Sequence, residues 1–118
     1  MCELTQEGRK LLELLVCHLG NVKPDNLKTY ITYKEVHEKL NLPLDDKTYG
    51  RSLQHQGLNS LGDWTEFKKL PAITGLIVNE SNWMPSDDYF ALFGKSKMNV
   101  QWWENEIKKS IVFDWSTV

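Results

Sequence analysis

The sequence predicts an α+β domain with a helix-turn-helix core and a small β-sheet. Three observations indicate it: a capped helix with an apolar stripe beginning near Thr32, a second helical segment after Asp46, and an apolar, β-rich run over residues 72–78. The 118 residues are enough for one hydrophobic core and too few for two. We expect one domain, made of an N-terminal helix and loop (1–28), the helix-turn-helix core (29–94) and a C-terminal helix and extension (95–118).

Charge and cysteine content restrict the function classes. The net charge is −2, from 14 basic and 16 acidic residues, so a basic stripe for nucleic acid would have to be assembled by folding. Two cysteines, Cys2 and Cys17, make no disulfide framework and indicate a reducing compartment. No apolar run approaches the ~20 residues of a membrane span, and the N-terminal residues lack a signal pattern. We therefore expect a cytoplasmic protein, in its own or a host cell, without a membrane partner.

The first helix is predicted from Thr5, its cap, to about Leu19. Gly20 and Asn21 follow, and both residue types end helices readily. An apolar stripe recurs at helical spacing. Its members are Leu4, Leu11, Leu12, Leu15 and Leu19.

The second helix begins with the best local signal in the chain. Thr32 and Glu35 have the spacing of a capping box, in which each side chain bonds to the other residue's backbone N–H. Tyr33, Val36 and Leu40 supply its buried stripe. We assign Glu35 to this capping role in preference to acid–base chemistry.

The third helix is expected to be capped by Asp45 or Asp46. Gly50 would permit a close approach of the preceding helix, and a break is expected before residues 64–67, since Gly57 and Gly62 weaken the segment. The core-facing residues would be Tyr49, Leu53, Leu61 and Trp64.

The opposite face of this helix is a candidate contact surface. Lys47, Arg51, Gln54 and His55 recur at spacings that place them on one side of a helix. Arginine and glutamine pair with guanine and adenine edges, which favours DNA recognition. The equally weighted alternative is an ordinary solvated helix face.

The C-terminal part is predicted to hold two more helices. Residues 87–94 fit a strand or a short helix, and the aspartate pair at their start favours a helix closed by Gly94; residues 95–98 read as a linker. Asn99 would cap a helix of about ten residues with a stripe of Val100, Trp103, Ile107 and Ile111. Because adjacent helical residues point about 100° apart, Trp103 should be buried and Trp102 should lie on the flank. Residues 111–115 are expected to turn extended and to add a strand beside Ile77.

Signatures of catalysis are missing from the sequence. No zinc-binding Cys/His spacing, phosphate-binding glycine loop, metalloprotease pair or nucleophile elbow occurs. His18, His37 and His55 are scattered, and capping explains the aspartate pairs 45–46 and 87–88. We therefore expect a non-enzymatic protein with no metal and no cofactor.

Three segments of the central stretch carry a family resemblance. Residues 31–36 are similar to a V-x-Y-G-E-V motif, residues 47–50 to R-A-V-G, and residues 70–73 to L-P-I-I. Together they resemble the winged-helix DNA-binding domain of the alkylguanine-DNA alkyltransferases and alkyltransferase-like proteins, with Lys47 at the place of the base-flipping arginine. The reactive P-C-H-R motif has no counterpart, because residues 74–77 stand there. The resemblance implies a winged-helix fold without alkyl transfer, and it leaves DNA binding open.

Two functions are therefore carried forward. The leading expectation is a winged-helix module that binds DNA through Lys47, Arg51, Gln54 and His55, with Tyr30 or Lys34 near phosphate. The alternative is a protein-interaction module, such as an inhibitor or adaptor from a phage or a prokaryotic defence system, with self-association also open. The five tryptophans and near-neutral charge favour it, with a contact patch of Trp83, Trp102 and Trp115.

Overall fold

The computed structural model describes residues 4–96 and 99–118; Cys2 and the expected linker positions Lys97 and Met98 lie outside them. Two short strands, β1 (Ile31–Thr32) and β2 (Ile77–Val78), form a parallel pair in which Ile31 faces Ile77. Around them lie α1 (Gln6–His18), α2 (Tyr33–Leu40), α3 (Tyr49–Leu53), α4 (Asn59–Phe67), α5 (Asp87–Leu92) and α6 (Val100–Val112). These helices and the small two-stranded sheet confirm the predicted α+β class.

The core forms where α2 packs on the strand pair and α1, α4 and α6 pack on the preceding residues Ile73–Leu76. Both strands are completely buried, which leaves helices to supply the outer surface. The largest enclosed side chains belong to several of these elements, so no single layer makes the core. They include Trp103, Phe90, Leu11, Leu15, Ile31 and Leu61. In the described ranges, no helix is long and apolar enough to cross a membrane.

Three predicted helix starts are confirmed at the atomic level. Thr5 accepts a hydrogen bond from the Gly8 N–H (3.0 Å), and Asn99 accepts one from the Trp102 N–H (3.2 Å). In α2 both halves of the capping box are present, with Thr32 Oγ1 accepting from the Glu35 N–H (3.1 Å) and Glu35 Oε1 from the Thr32 N–H (3.2 Å). Each cap joins residues three apart, so the sequence alone carries the information.

The third helix differs from its prediction at both ends. Thr48, and not an aspartate, caps α3 by accepting from the Arg51 N–H (3.1 Å). The break comes at Gln56 and Gly57, earlier than expected, and α4 continues through residues 64–67. Gly57 has a φ of +124°, and a Cβ there would lie 2.8 Å from the Glu7 carbonyl oxygen. The close approach is therefore at Gly57 against α1, whereas a Cβ on Gly50 would meet nothing nearer than 3.9 Å.

Residues 72–78 were expected to form a buried strand. They are buried, but most of them are not in a strand. Residues Ile73–Leu76 form a 3-10 turn, and only Ile77–Val78 pair as a strand. The turn exposes the Gly75 carbonyl to the Trp103 indole Nε1–H, which donates to it at 2.9 Å. A Cβ on Gly75 would lie 2.6 Å from the Tyr89 hydroxyl, so two aromatic side chains determine this backbone path.

The C-terminal helix is longer than predicted, and the expected strand over residues 111–115 is wrong. Helix α6 runs to Val112, and a 3-10 turn (Trp115–Thr117) follows, held by the Trp115 indole donating to the Ser110 carbonyl (2.8 Å). Val100 and Ile111, predicted to be buried, are 42% and 38% exposed. The buried face is instead formed by Trp103, Glu106, Ile107 and Ser110.

Two expectations for the C-terminal part are confirmed. Residues Asp87–Leu92 form helix α5, and Gly94 follows with a left-handed φ of +70°. Trp103 is 1% exposed, and Trp102 lies half-buried on the flank of α6.

Candidate binding groove

A groove of about 530 Å³ opens between α2, α3 and the segment that connects β2 to α5. We call it the α3 groove. Lys34 comes from α2, Arg51 and Gln54 from the α3 segment, and Glu80 and Asp88 from the facing wall. Tyr33, Thr48, Tyr49, Gly50, Asn79, Ser81 and Ser86 complete the lining.

A buried tyrosine holds the facing wall in place. The Tyr33 oxygen accepts a hydrogen bond from the Ser86 N–H (3.1 Å), which ties α2 to the segment before α5. Burial raises the pKa of Tyr33, so its phenol stays neutral under ordinary conditions. Gln54 makes a second tie across the groove by donating from Nε2 to Asp88 Oδ2 at 2.8 Å.

Asp46 organises the cations beside α3. Its Oδ1 accepts from the Lys47 N–H (2.6 Å) and lies 3.9 Å from Arg51 Nε, and its Oδ2 lies 3.3 Å from His55 Nε2. The Lys47 N–H lowers the pKa of Asp46 most, and Arg51 and His55 lower it further. Asp46 therefore remains ionised, and it holds Arg51 and His55 side by side on the surface.

The predicted DNA-contacting residues divide into three groups. Lys34, Arg51 and Gln54 line the α3 groove. Lys47 and His55 are exposed next to it, so five of the six belong to one region. The choice of Tyr30 is wrong: it is 3% exposed and packs edge-on against Trp103, with ring centroids 5.6 Å apart.

The three tryptophans of the alternative contact patch do not share an exposed surface. Trp115 is buried and packs against Phe113, and Trp83 is half-buried. Trp102 packs on Tyr89 and Phe93 with centroid distances of 5.5 and 5.6 Å. The expected apolar patch is wrong, because Trp115 is buried and the other two rings are half-buried.

A hydrogen-bonded serine and histidine lie beneath the groove and were not singled out from the sequence. His37 Nδ1 donates to the Tyr33 carbonyl (2.9 Å), and Nε2 is hydrogen-bonded to Ser52 Oγ at 2.9 Å. Ser52 also accepts from the Asp45 N–H and from Gln56 Nε2 (3.1 and 2.9 Å). Ser52 is 0% exposed, so this pair fastens α2 to α3 and offers no nucleophile to a substrate.

Comparison with known proteins adds no relative: no family model matches the chain, and no curated protein or solved structure is significantly similar to it. In the part of the chain that the structure describes, no cluster of three or more His, Cys, Asp or Glu residues could hold a metal ion. The groove therefore has to be interpreted from its own residues.

Proposed function

We propose that this protein is a non-enzymatic DNA-binding module that contacts a duplex through α3 and the α3 groove. One observation carries the proposal. Folding brings Lys34, Lys47 and Arg51 to one region of surface, although residues 1–28 and 29–70 are each neutral in net charge and residues 71–118 are net acidic. Cations grouped beside a short helix suit the phosphate backbone, which supplies most of the affinity for DNA.

The roles of the side chains follow from their chemistry. Lys34 and Lys47 would contact phosphates as point charges. Arg51 and Gln54 carry the donor patterns that read guanine and adenine edges. The similarity of residues 47–50 to the recognition-helix motif of alkyltransferase-like proteins supports the same orientation.

Charge reversal tests the proposal directly. We expect Lys47→Glu with Arg51→Glu to abolish binding of a fluorescently labelled duplex in an anisotropy titration. For the wild type, three neutralised phosphates should give a slope of about −3 in log K against log salt. Lys39→Glu, a reversal of an exposed lysine on α2 outside the groove, is the matched control and should bind like the wild type apart from a small loss. Absence of binding to any duplex at low salt would refute DNA binding.

A second candidate function is supported by the two acids in the groove. Glu80 and Asp88 face Lys34 and Arg51, and this mixture of charges also fits a polypeptide segment of a partner protein. Neutralising Glu80 separates the candidates. If DNA is the ligand, Glu80→Gln removes repulsion and should strengthen binding about twofold to fivefold. A protein ligand that uses Glu80 should instead be lost from the variant in a nuclease-treated pull-down.

A further inference from the structure

A second surface, separate from the α3 groove, lies between the end of α4, residues 69–71 and α6. Two hollows of about 250 and about 450 Å³ adjoin there and share Lys69, Leu70 and Glu106. Together the two adjoining hollows are called the Leu70 trough. None of its lining residues lines the α3 groove.

Apolar side chains form part of the lining of the Leu70 trough. Phe93 and Trp102 lie in the smaller hollow, and Pro71, Val112 and Phe113 in the larger. Val112 is 84% exposed, although it ends a helix whose other face is well packed. A ligand that covers such side chains would remove apolar surface from water. This burial is the main driving force of most protein association.

The rim of the Leu70 trough is cationic. Lys69 and Lys95 border the smaller hollow, and Lys109 borders the larger one. Of the two acids in the lining, Glu106 is committed to the fold: it accepts from the Ala72 N–H (3.2 Å) and from Lys109 Nζ (2.9 Å). Because Lys109 is paired with Glu106, the excess of positive charge comes from Lys69 and Lys95 against the second acid, Glu66.

Lys69 occupies a backbone position that favours glycine. Its φ is +58°, the left-handed conformation that ends a helix, and the Leu70 N–H closes this end by donating to the Thr65 carbonyl (2.9 Å). A lysine there carries strain that a glycine would not. The side chain that causes the strain is one that borders the trough.

We propose that the Leu70 trough docks an acidic, amphipathic segment of a partner protein. Apolar side chains of that segment occupy the two hollows, and its carboxylates pair with Lys69 and Lys95. This docking does not depend on the ligand of the α3 groove, since the two surfaces have no lining residue in common.

Other occupants fit the trough less well. A second copy placed by twofold symmetry would set the cationic rim against itself, which is repulsive. A single-stranded nucleic acid needs free aromatic faces for its bases. Trp102 offers little free ring surface for stacking, because it is half-buried against Tyr89 and Phe93 and the Lys95 ammonium lies 5.8 Å from its ring centroid.

The test is a nuclear magnetic resonance titration of the full chain with short synthetic peptides. The probe is an amphipathic peptide of leucine and glutamate, and its matched controls carry glutamine or lysine in place of glutamate. We expect the glutamate peptide to shift the Trp102 indole signal and the amide signals of Lys69, Leu70 and Val112. The glutamine peptide should shift them less, and the lysine peptide should leave them unchanged.

Variants make the charge argument specific. Lys69→Glu combined with Lys95→Glu should weaken the glutamate peptide at least about tenfold and should create binding of the lysine peptide. Lys69→Arg should keep binding, and Lys39→Glu should leave it unchanged. Lys69→Gly should raise the melting temperature and still weaken the peptide, a combination that a purely structural role for Lys69 does not produce.

Three results would overturn the proposal. The first is an unchanged Trp102 signal with every peptide, and the second is an equal response to the glutamate and lysine peptides. The third is a response to an oligonucleotide or to protein concentration alone, which would assign the trough to nucleic acid or to a second copy.

Discussion

At the scale of single residues, Trp102 and Trp103 show how one helical step separates two roles. Trp103 is enclosed and donates to the Gly75 carbonyl, whereas Trp102 covers α5 from the flank of α6. We predict that Trp103→Ala lowers the free energy of unfolding by about 3–5 kcal/mol, as other large-to-small core substitutions do. Trp102→Ala should cost roughly half as much, because its side chain is only half-buried. Urea denaturation followed by circular dichroism measures both, and equal losses would contradict this division of the helix.

At the scale of elements, the break between α3 and α4 determines how this helical segment meets α1. Gly57 combines a φ of +124° with backbone contact to Glu7, so an alanine there is both strained and crowded. We predict that Gly57→Ala lowers the free energy of unfolding by about 2–4 kcal/mol. Gly20→Ala is the control, since a Cβ at Gly20 meets nothing within 4 Å. Thermal unfolding measures the melting temperature of both variants. Similar melting temperatures would show that the close approach at Gly57 does not contribute to stability.

At the scale of the whole molecule, three tyrosines are buried, and the folded state favours the neutral, protonated form of each phenol. Burial, helped by Glu104, raises the pKa of Tyr30 from 10.0 to about 12, and burial also raises the pKa values of Tyr33 and Tyr89. The folded state therefore binds more protons than the unfolded state above pH 10, and stability falls as pH rises from about 10 to about 12.

Replacement of Tyr30 tests this alkaline dependence. The rise of the Tyr30 pKa from 10.0 to about 12 corresponds to a loss of about 2–3 kcal/mol in the free energy of unfolding when the phenol ionises. In Tyr30→Phe the loss between these pH values should be smaller by that amount, because the phenylalanine cannot ionise. The measurement is the urea midpoint as a function of pH for both proteins. Parallel curves would mean that Tyr30 ionises as freely in the folded as in the unfolded chain.

The sequence by itself determined the starts of α1, α2 and α6, the apolar stripes of α1 and α2, and the burial of residues 72–78 and Trp103. Caps join residues three apart and stripes repeat every three or four, so these signals are local. Of the predicted contact residues, Lys34, Lys47, Arg51 and His55 are exposed, and their role in binding stays a prediction.

Only the tertiary structure decided the rest, because the deciding contacts join distant parts of the chain. The 3-10 turn of Ile73–Leu76 follows from its contact with Trp103, and the bond between Gln54 and Asp88 spans 34 positions. Tyr30, predicted as a contact residue, is buried for the same reason, because it packs against the distant Trp103. The Leu70 trough combines residues of α4, of the segment after α5 and of α6, and it has no local signature. Charge and apolar surface meet there only after folding, so periodicity along the chain could not predict it.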